Sequence, residues 1–483
     1  MTLDRRGFVR KTGLGAAGLS MAGSALSGLS LSQLTGCDSR PGRRPNIIYI
    51  MADDLGYGDL GCYGQEKVRT PHIDRLAAEG MRFTDHYAGS TVCAPSRCSL
   101  MTGYHTGHTF IRGNREIQPE GQQPIPADSV TVARLLQKAG YVTGATGKWG
   151  LGPPGSEGDP VQQGFDYFYG YNCQREAHFY YPEHLWENEQ KVVLDANLDG
   201  AKEIFSHDLI AEKTLDFIRR NSDQPFFLYV PFTIPHAEIV VPDDSLAEYE
   251  GAFPETPYIG SHYGSHETPR AAFAGMVTRM DRDVGRIRAL LEALGISEET
   301  LILFTSDNGS HLEGGHDPRF FGSSGPLRGF KRDLYEGGIR VPMVAWWPGT
   351  IAAGTLSDHP SAFWDFLPTA CDIAGIDPPT DGDGISYLPE LLGGREQPEH
   401  AYLYWEFHEQ GRKQAVRMGR WKGVRLHVRS DPDGPIELYD LTVDIAEEHD
   451  VSGAHPEIVT RMRLIMAEAH EPSELFPLTD QEG

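Results

Sequence analysis

Asn46-Ile47-Ile48-Tyr49-Ile50-Met51-Ala52 runs straight into Asp53-Asp54, and the reading of this stretch decides the fold. Seven uncharged, mostly apolar residues in succession predict a strand buried on both faces, because a half-exposed strand would alternate with polar residues. Two carboxylates then stand at its carboxyl end, the side on which open α/β sheets bind their ligands. Working outward, further apolar runs at residues 225–230, 300–304 and 341–346 read as strands. Helical patterns at 71–79, 129–139, 206–220, 270–294 and 361–373 lie between and after them. Strands alternating with helices predict an α/β fold, a large mostly parallel sheet sandwiched by helices, over residues 46–397. The texture changes beyond the linker-like 391–398. Short strands at 402–407, 414–418 and 422–427 and a helix at 456–469 predict a small C-terminal α+β subdomain over 398–483.

The chain has 483 residues, 39% hydrophobic, 10% aromatic and 23% charged, a soluble globular composition that excludes disorder, collagen and coiled coil as the main architecture. Forty-three Lys and Arg against 68 Asp and Glu give −25, which excludes nucleic-acid binding through a basic face. An anionic substrate therefore requires a locally reversed field. Six cysteines are too few for a disulfide scaffold, so Cys62, Cys98, Cys173 and Cys371 are expected to form no essential framework.

Residues 1–36 read as an export signal. Arg5-Arg6-Gly7-Phe8 precedes a weakly apolar Gly/Ala/Ser/Leu run that resembles a twin-arginine signal. The run closes on Leu34-Thr35-Gly36-Cys37, which resembles a bacterial lipobox with Cys37 as the lipidated first residue and 37–45 as a spacer. The alternative is a general secretory signal with an incidental cysteine. Removing 1–36 takes away four basic residues and one acidic residue and leaves −28. The expectation is an exported, periplasmic protein, lipid-anchored to a membrane at Cys37.

A second carboxylate cluster, Asp307-Asn308, follows the strand at 300–304. Taken with Asp53 and Asp54, it offers hard oxygen donors without imidazole or thiolate, a set that suits Ca²⁺ or Mg²⁺ rather than zinc. Ordinary turns at both places are the alternative reading.

The segment Cys93-Ala94-Pro95-Ser96-Arg97-Cys98-Ser99-Leu100-Met101-Thr102-Gly103 resembles the signature of the formylglycine-dependent, type I sulfatases of the alkaline phosphatase-like superfamily. Similar blocks recur along almost the whole chain: Asp53-Asp54, Gly147-Lys148-Trp149, Pro235-His236, Asp307-Asn308-Gly309, and Lys331 with Tyr335 to Pro342. The resemblance implies hydrolysis of a sulfate monoester, on a sulfated carbohydrate in the first instance. It implies Cys93 oxidised to a formylglycine by a formylglycine-generating or radical sulfatase-maturing enzyme. It implies Ca²⁺, with Mg²⁺ as the alternative, held by Asp53, Asp54, Asp307 and Asn308 beside residue 93. Arg97 then offsets the carboxylates, Lys148 and Lys331 neutralise sulfate oxygens, and a protonated His236 serves as general acid.

One position departs from the family. Many relatives have Gly-Lys-Trp-His-Leu-Gly, where this chain has Gly150 in place of His. The base is therefore unassigned among His178, His311 and His316. Arg175, His178, His311 and Trp405 are candidate substrate contacts, with aromatic Phe179, Tyr180 and Tyr181 alongside. Two other functions compete: a phosphate or phosphonate monoester hydrolase of the same superfamily, and a non-catalytic lipoprotein that captures sulfated glycan.

Overall fold

Period-two alternation explains how one apolar run feeds two cores. In the computed structural model, which describes residues 44–260, 262–394 and 396–482, the strand Asn46–Ala52 (β1) is buried along its full length. Ile48 and Ile50 face one apolar cluster with Leu228 and Val230, whereas Ile47, Tyr49 and Met51 face another with Phe227 and Tyr229. Each fully buried Ile contributes about 1.5–3 kcal/mol. The expected signal, Cys37 and most of the spacer lie outside the described residues.

The remaining strands are Met81–Phe83 (β2), His86–Tyr87 (β3), Val142–Lys148 (β4), Tyr167–Tyr171 (β5), His184–Glu187 (β6), Gln190–Val193 (β7), Phe226–Pro231 (β8) and Thr300–Ser306 (β9). Met343–Trp346 (β10), Thr355–Ser357 (β11) and Ser361–Ala362 (β12) follow, then Leu403–Phe407 (β13), Lys413–Met418 (β14), Trp421–Arg425 (β15) and Ile436–Asp440 (β16). Ten of them form one sheet in the order β11-β2-β10-β9-β1-β8-β4-β5-β6-β7. Its central run, β9-β1-β8-β4-β5, is parallel throughout, while β10 joins antiparallel on one side and β6 and β7 on the other. The sheet is thus mixed, with β2 antiparallel to β10 and the edge pair β11-β2 parallel again.

Helices Ser206–Asn221 and Pro269–Leu294 send Ile210, Leu215, Val277 and Met280 into the cluster beneath one face. On the other face, Cys93–Thr102 and Phe366–Ala374 contribute Cys98, Leu100, Phe366 and Ala370. The helix expected from residue 361 begins only at Phe366. Ser361–Ala362 pairs instead with His86–Tyr87, and the Asp365 carboxylate accepts the backbone N–H groups of Ala362 and Ile385, which holds a turn ahead of the helix.

β4, with the sequence VTGATGK, carried no apolar run to announce it. Its glycine has a packing reason: a Cβ on Gly147, at φ +136°, would lie 1.9 Å from the Pro231 carbonyl oxygen of neighbouring β8. The C-terminal strands β13-β14-β15-β16 form an antiparallel meander. One of its faces packs Leu403, Trp405, Ala415 and Val424 against Tyr87, Leu334 and Trp364, and the other meets Met462 and Met466 of the helix Pro456–Glu468. No helix among the described residues is long and apolar enough to cross a membrane.

Candidate active site

Four neighbouring parallel strands deliver their carboxyl ends to one place. β1 ends at Asp53-Asp54, β9 at Asp307-Asn308, β4 on Lys148 itself, and β8 continues to His236. The helix Cys93–Thr102 starts at the same point, with Cys93 Sγ 3.4 Å from Asp53 Oδ1. Asp54, at φ +66°, turns the chain so that its amide N–H donates to Asp307 Oδ1 at 3.1 Å.

Each buried carboxylate has a buried cation. Lys148 Nζ donates to Asp53 Oδ2 at 2.6 Å, Lys331 Nζ to Asp54 Oδ2 at 2.8 Å, and Arg97 Nη2 to Asp307 Oδ2 at 2.7 Å. Arg97 Nη1 also donates to the Lys148 carbonyl. Such clusters are poor stabilisers, since desolvation offsets much of the attraction, and their concentration in one place marks a functional site. Burial alone would push the Asp53 and Asp54 carboxyls up, but Lys148 beside Asp53 and Lys331 beside Asp54 hold both well below the usual carboxylate range. Asp307 is pushed up to about 7, by burial and then by the Asp53 charge, against the pull of Arg97. Burial, reinforced by Asp53, pushes the Cys93 thiol up, so the unmodified side chain is held as the protonated, weakly nucleophilic form.

The donors fit a divalent cation. Oxygen, sulfur and nitrogen atoms of Asp53, Asp54, Cys93 and His236 all lie within 4.8 Å of one another. Asn308 donates through Nδ2 to Asp54 Oδ1 at 2.7 Å, yet its own Oδ1 is buried and has no partner. An orphaned buried amide oxygen beside three carboxylates is what a hard cation would satisfy.

His236 accepts at Nε2 from Lys331 Nζ (2.9 Å), and its Nδ1 donates to the Ala237 carbonyl. Burial and then the Lys331 ammonium push its pKa down. Both influences work against the imidazolium expected at 236, while the Asp53 charge works for it. His178 stacks on His236 with ring centroids 3.9 Å apart, and its Nε2 has no protein partner. His311 is fully engaged: Nδ1 accepts from the Glu313 N–H and Nε2 donates to the Pro235 carbonyl. His316 bonds Ser310 Oγ and stacks on Phe273.

A cavity of about 350 Å³ opens above this cluster, lined by Asn114, Gln122, Gln174, Arg175, His178, His236, Tyr263 and Lys331, and by Glu116, His262, Glu313 and Arg332. Arg175 and His178 were expected here from the sequence. His311 lies buried behind His236. Trp405 is not at the pocket. It is wholly buried, packs against Tyr87 and Trp364, and donates Nε1–H to the Ala88 carbonyl, because its strand β13 turns that face into the core. Sequence reasoning missed Gln174 and Arg332, although each adjoins a residue it had named. Tyr263 and Glu313 gave no signal. Cys62, Cys98, Cys173 and Cys371 are free thiols.

Comparison with known proteins agrees with this geometry. The profile of the Sulfatase family matches residues 45–376, and that of the N-sulphoglucosamine sulphohydrolase C-terminal region matches 329–471. Steryl-sulfatase of Rattus norvegicus is 30% identical over 92% of this chain and 87% of its own. N-acetylgalactosamine-6-sulfatase of Canis lupus familiaris is 32% identical over 90% and 82%. Among solved structures, Ps i-CgsB in complex with k-i-k-neocarrahexaose superposes with a TM-score of 0.74 at 29% identity, covering 88% of this chain and 93% of that one.

Proposed function

The chain belongs to the sulfatase family and is a sulfuric ester hydrolase, and from that premise we propose that it hydrolyses a sulfate monoester on a carbohydrate through a formylglycine at residue 93 and a bound divalent cation. The observation that carries the mechanism is Cys93, buried at a helix start 3.4 Å from Asp53, inside a nest of three carboxylates and three cations. The sugar assignment is supported by the carbohydrate in the Ps i-CgsB complex and by the N-acetylgalactosamine-6-sulfatase relatives.

When present, the cation polarises a sulfate oxygen and the formylglycine hydrate supplies a hydroxyl nucleophile. Asp53, Asp54, Asp307 and Asn308 would hold the cation, Ca²⁺ with Mg²⁺ as the alternative, since both take hard oxygen donors. Arg97 offsets their charge. Lys148 and Lys331 turn toward the remaining sulfate oxygens, where a dry pocket strengthens their attraction. Lys331 and His236, joined by one hydrogen bond, hold a proton on the side from which an alkoxide would depart. Of the three histidines, His178 alone combines an unpartnered ring nitrogen with a place on the pocket wall, so it is the base in this reading.

The maturing partner is a formylglycine-generating or radical sulfatase-maturing enzyme. The twin-arginine-like start and Cys37 support export to the periplasm with a lipid anchor. The acidic surface supports exo action on short sulfated oligosaccharides, since long polyanions are repelled. A mass spectrum of the tryptic peptide containing residue 93 tests the central claim. An unmodified thiol in exported, active protein overturns it, as does a fully active Cys93→Ser variant. Rates on matched aryl sulfate, phosphate and phosphonate esters test the choice of ester. Desulfation that is faster on polymer than on its oligosaccharides at equal sulfate refutes the exo assignment.

A further inference from the structure

Resting on that reading of the site as a carbohydrate sulfatase, we infer that the mouth of the pocket selects a sugar carrying one sulfate and no other negative charge. A second anion would need cations of its own. Arg175 and Arg332 are the guanidiniums at the pocket, and both are taken. Arg175 pairs with Glu116 (Nη1–Oε1 2.9 Å) and with Glu176 (Nη2–Oε1 3.0 Å), and Arg332 pairs with Glu313 (Nη2–Oε1 2.8 Å). Among the residues lining the pocket, the carboxylates of Glu116 and Glu313 thus match the two guanidiniums, and Glu176 is a further carboxylate on Arg175. Deeper in, Lys148 and Lys331 bear on Asp53 and Asp54 and on the sulfate to be cleaved. No cation is left over among these groups for a second sulfate or a uronate.

The wall offers a different complement. Gln122 and Gln174 line the pocket with 3% and 4% of their surface exposed, and the Oε1 of each is buried without a partner. Unpartnered amide oxygens call for donors, and the donors a sugar brings are its neutral hydroxyls. A second sulfate set against them would bring only acceptors, and it would stand beside Glu116 and Glu313. Such like-charge contact is an effective device for rejecting a wrong partner.

The test reads binding without turnover. Full-length Cys93→Ala protein is titrated calorimetrically with each monosulfated methyl galactoside and with the disulfates that contain it. The expected result is that the tightest monosulfate binds about tenfold or more tightly than every disulfate built on it, and that this gap narrows between about 0.02 and 0.3 M salt. The double substitution Glu116→Gln with Glu313→Gln should shrink the ratio at least about fivefold. A disulfate that binds as tightly as its parent overturns the inference, as does a ratio indifferent to both substitutions, or an absence of binding by any monosulfate. Should the double variant fold poorly, the salt dependence of the parent protein decides. Formylglycine-bearing enzyme is assayed separately. Selective binding without hydrolysis would overturn the proposed function and leave the charge selection standing.

Discussion

Gln174 occupies the space that a side chain at Gly150 would need. A Cβ built on Gly150 lies 3.3 Å from Gln174 Oε1, and the backbone there sits at φ +81°. The histidine found at this position in many relatives would be strained here by the positive φ, and the Gln174 amide would have to give way by a few tenths of an ångström. Gly150→His should cost about 1–2 kcal/mol, the strain of an L-residue in the left-handed region, and should not raise turnover. Thermal unfolding together with kcat checks both parts, and a faster, equally stable variant would contradict this account.

His178→Ala should lower kcat by about 10²–10⁴-fold with a smaller change in KM, the signature of a lost proton acceptor. If the ring only shapes the wall, KM will rise while kcat holds. Initial rates across substrate concentration separate the two.

Asp307→Ala should destabilise the fold by about 3–5 kcal/mol, because it leaves Arg97 buried without its 2.7 Å partner. It should also lower the divalent metal content of the purified protein. A chelator should lower the unfolding temperature of the parent, since a cation bound only to the folded state stabilises it, and should do little to the variant. Equal responses would contradict a cation at this place.

Away from the pocket, the buried Glu406 carboxylate binds His470 Nδ1 at 2.5 Å and His408 Nε2 at 2.9 Å. Burial pushes the His470 pKa down, but the hydrogen bond and charge of Glu406 outweigh it and leave the imidazolium favoured. A raised value in the folded state means that the stability is fully present below the ordinary histidine value of about 6.5 and is lost as pH rises through the raised one. The unfolding midpoint in denaturant should therefore fall as pH rises above the ordinary histidine value of about 6.5, and His470→Ala should flatten that fall. An unchanged slope would show that other groups govern it.

How much of this was legible follows from how each residue makes itself known. The carboxylates at 53, 54 and 307 could be read because they end apolar strands, and Cys93 because its segment matches a long signature. β4 escaped because its packing against β8 calls for glycine where a readable strand would carry valine. Trp405 misled for the opposite reason: an aromatic near charged neighbours resembles a sugar contact, and only the register of β13 shows which way it faces. The hydrogen bond that joins His236 to Lys331, 95 positions away, is recorded by no local pattern. Gln122 and Tyr263 reach the pocket on loops whose course only the folded chain reveals.

The place of β1 in the sheet also sets a timetable. Its two partners, β8 and β9, begin at residues 226 and 300, so β1 has neither of them to pair with until nearly half the chain exists, and not both until well past half. At about 5–20 residues per second, roughly 10–50 seconds pass between the synthesis of β1 and that of β9. Until β8 is made a seven-residue apolar strand waits with both hydrogen-bonding edges open, and from then until β9 with one, in the state most prone to stick to another nascent copy. Yield in the cell is then governed by what shields this segment during translation, and slowing the ribosome downstream of β1 should cost soluble protein even though the finished fold is unaltered.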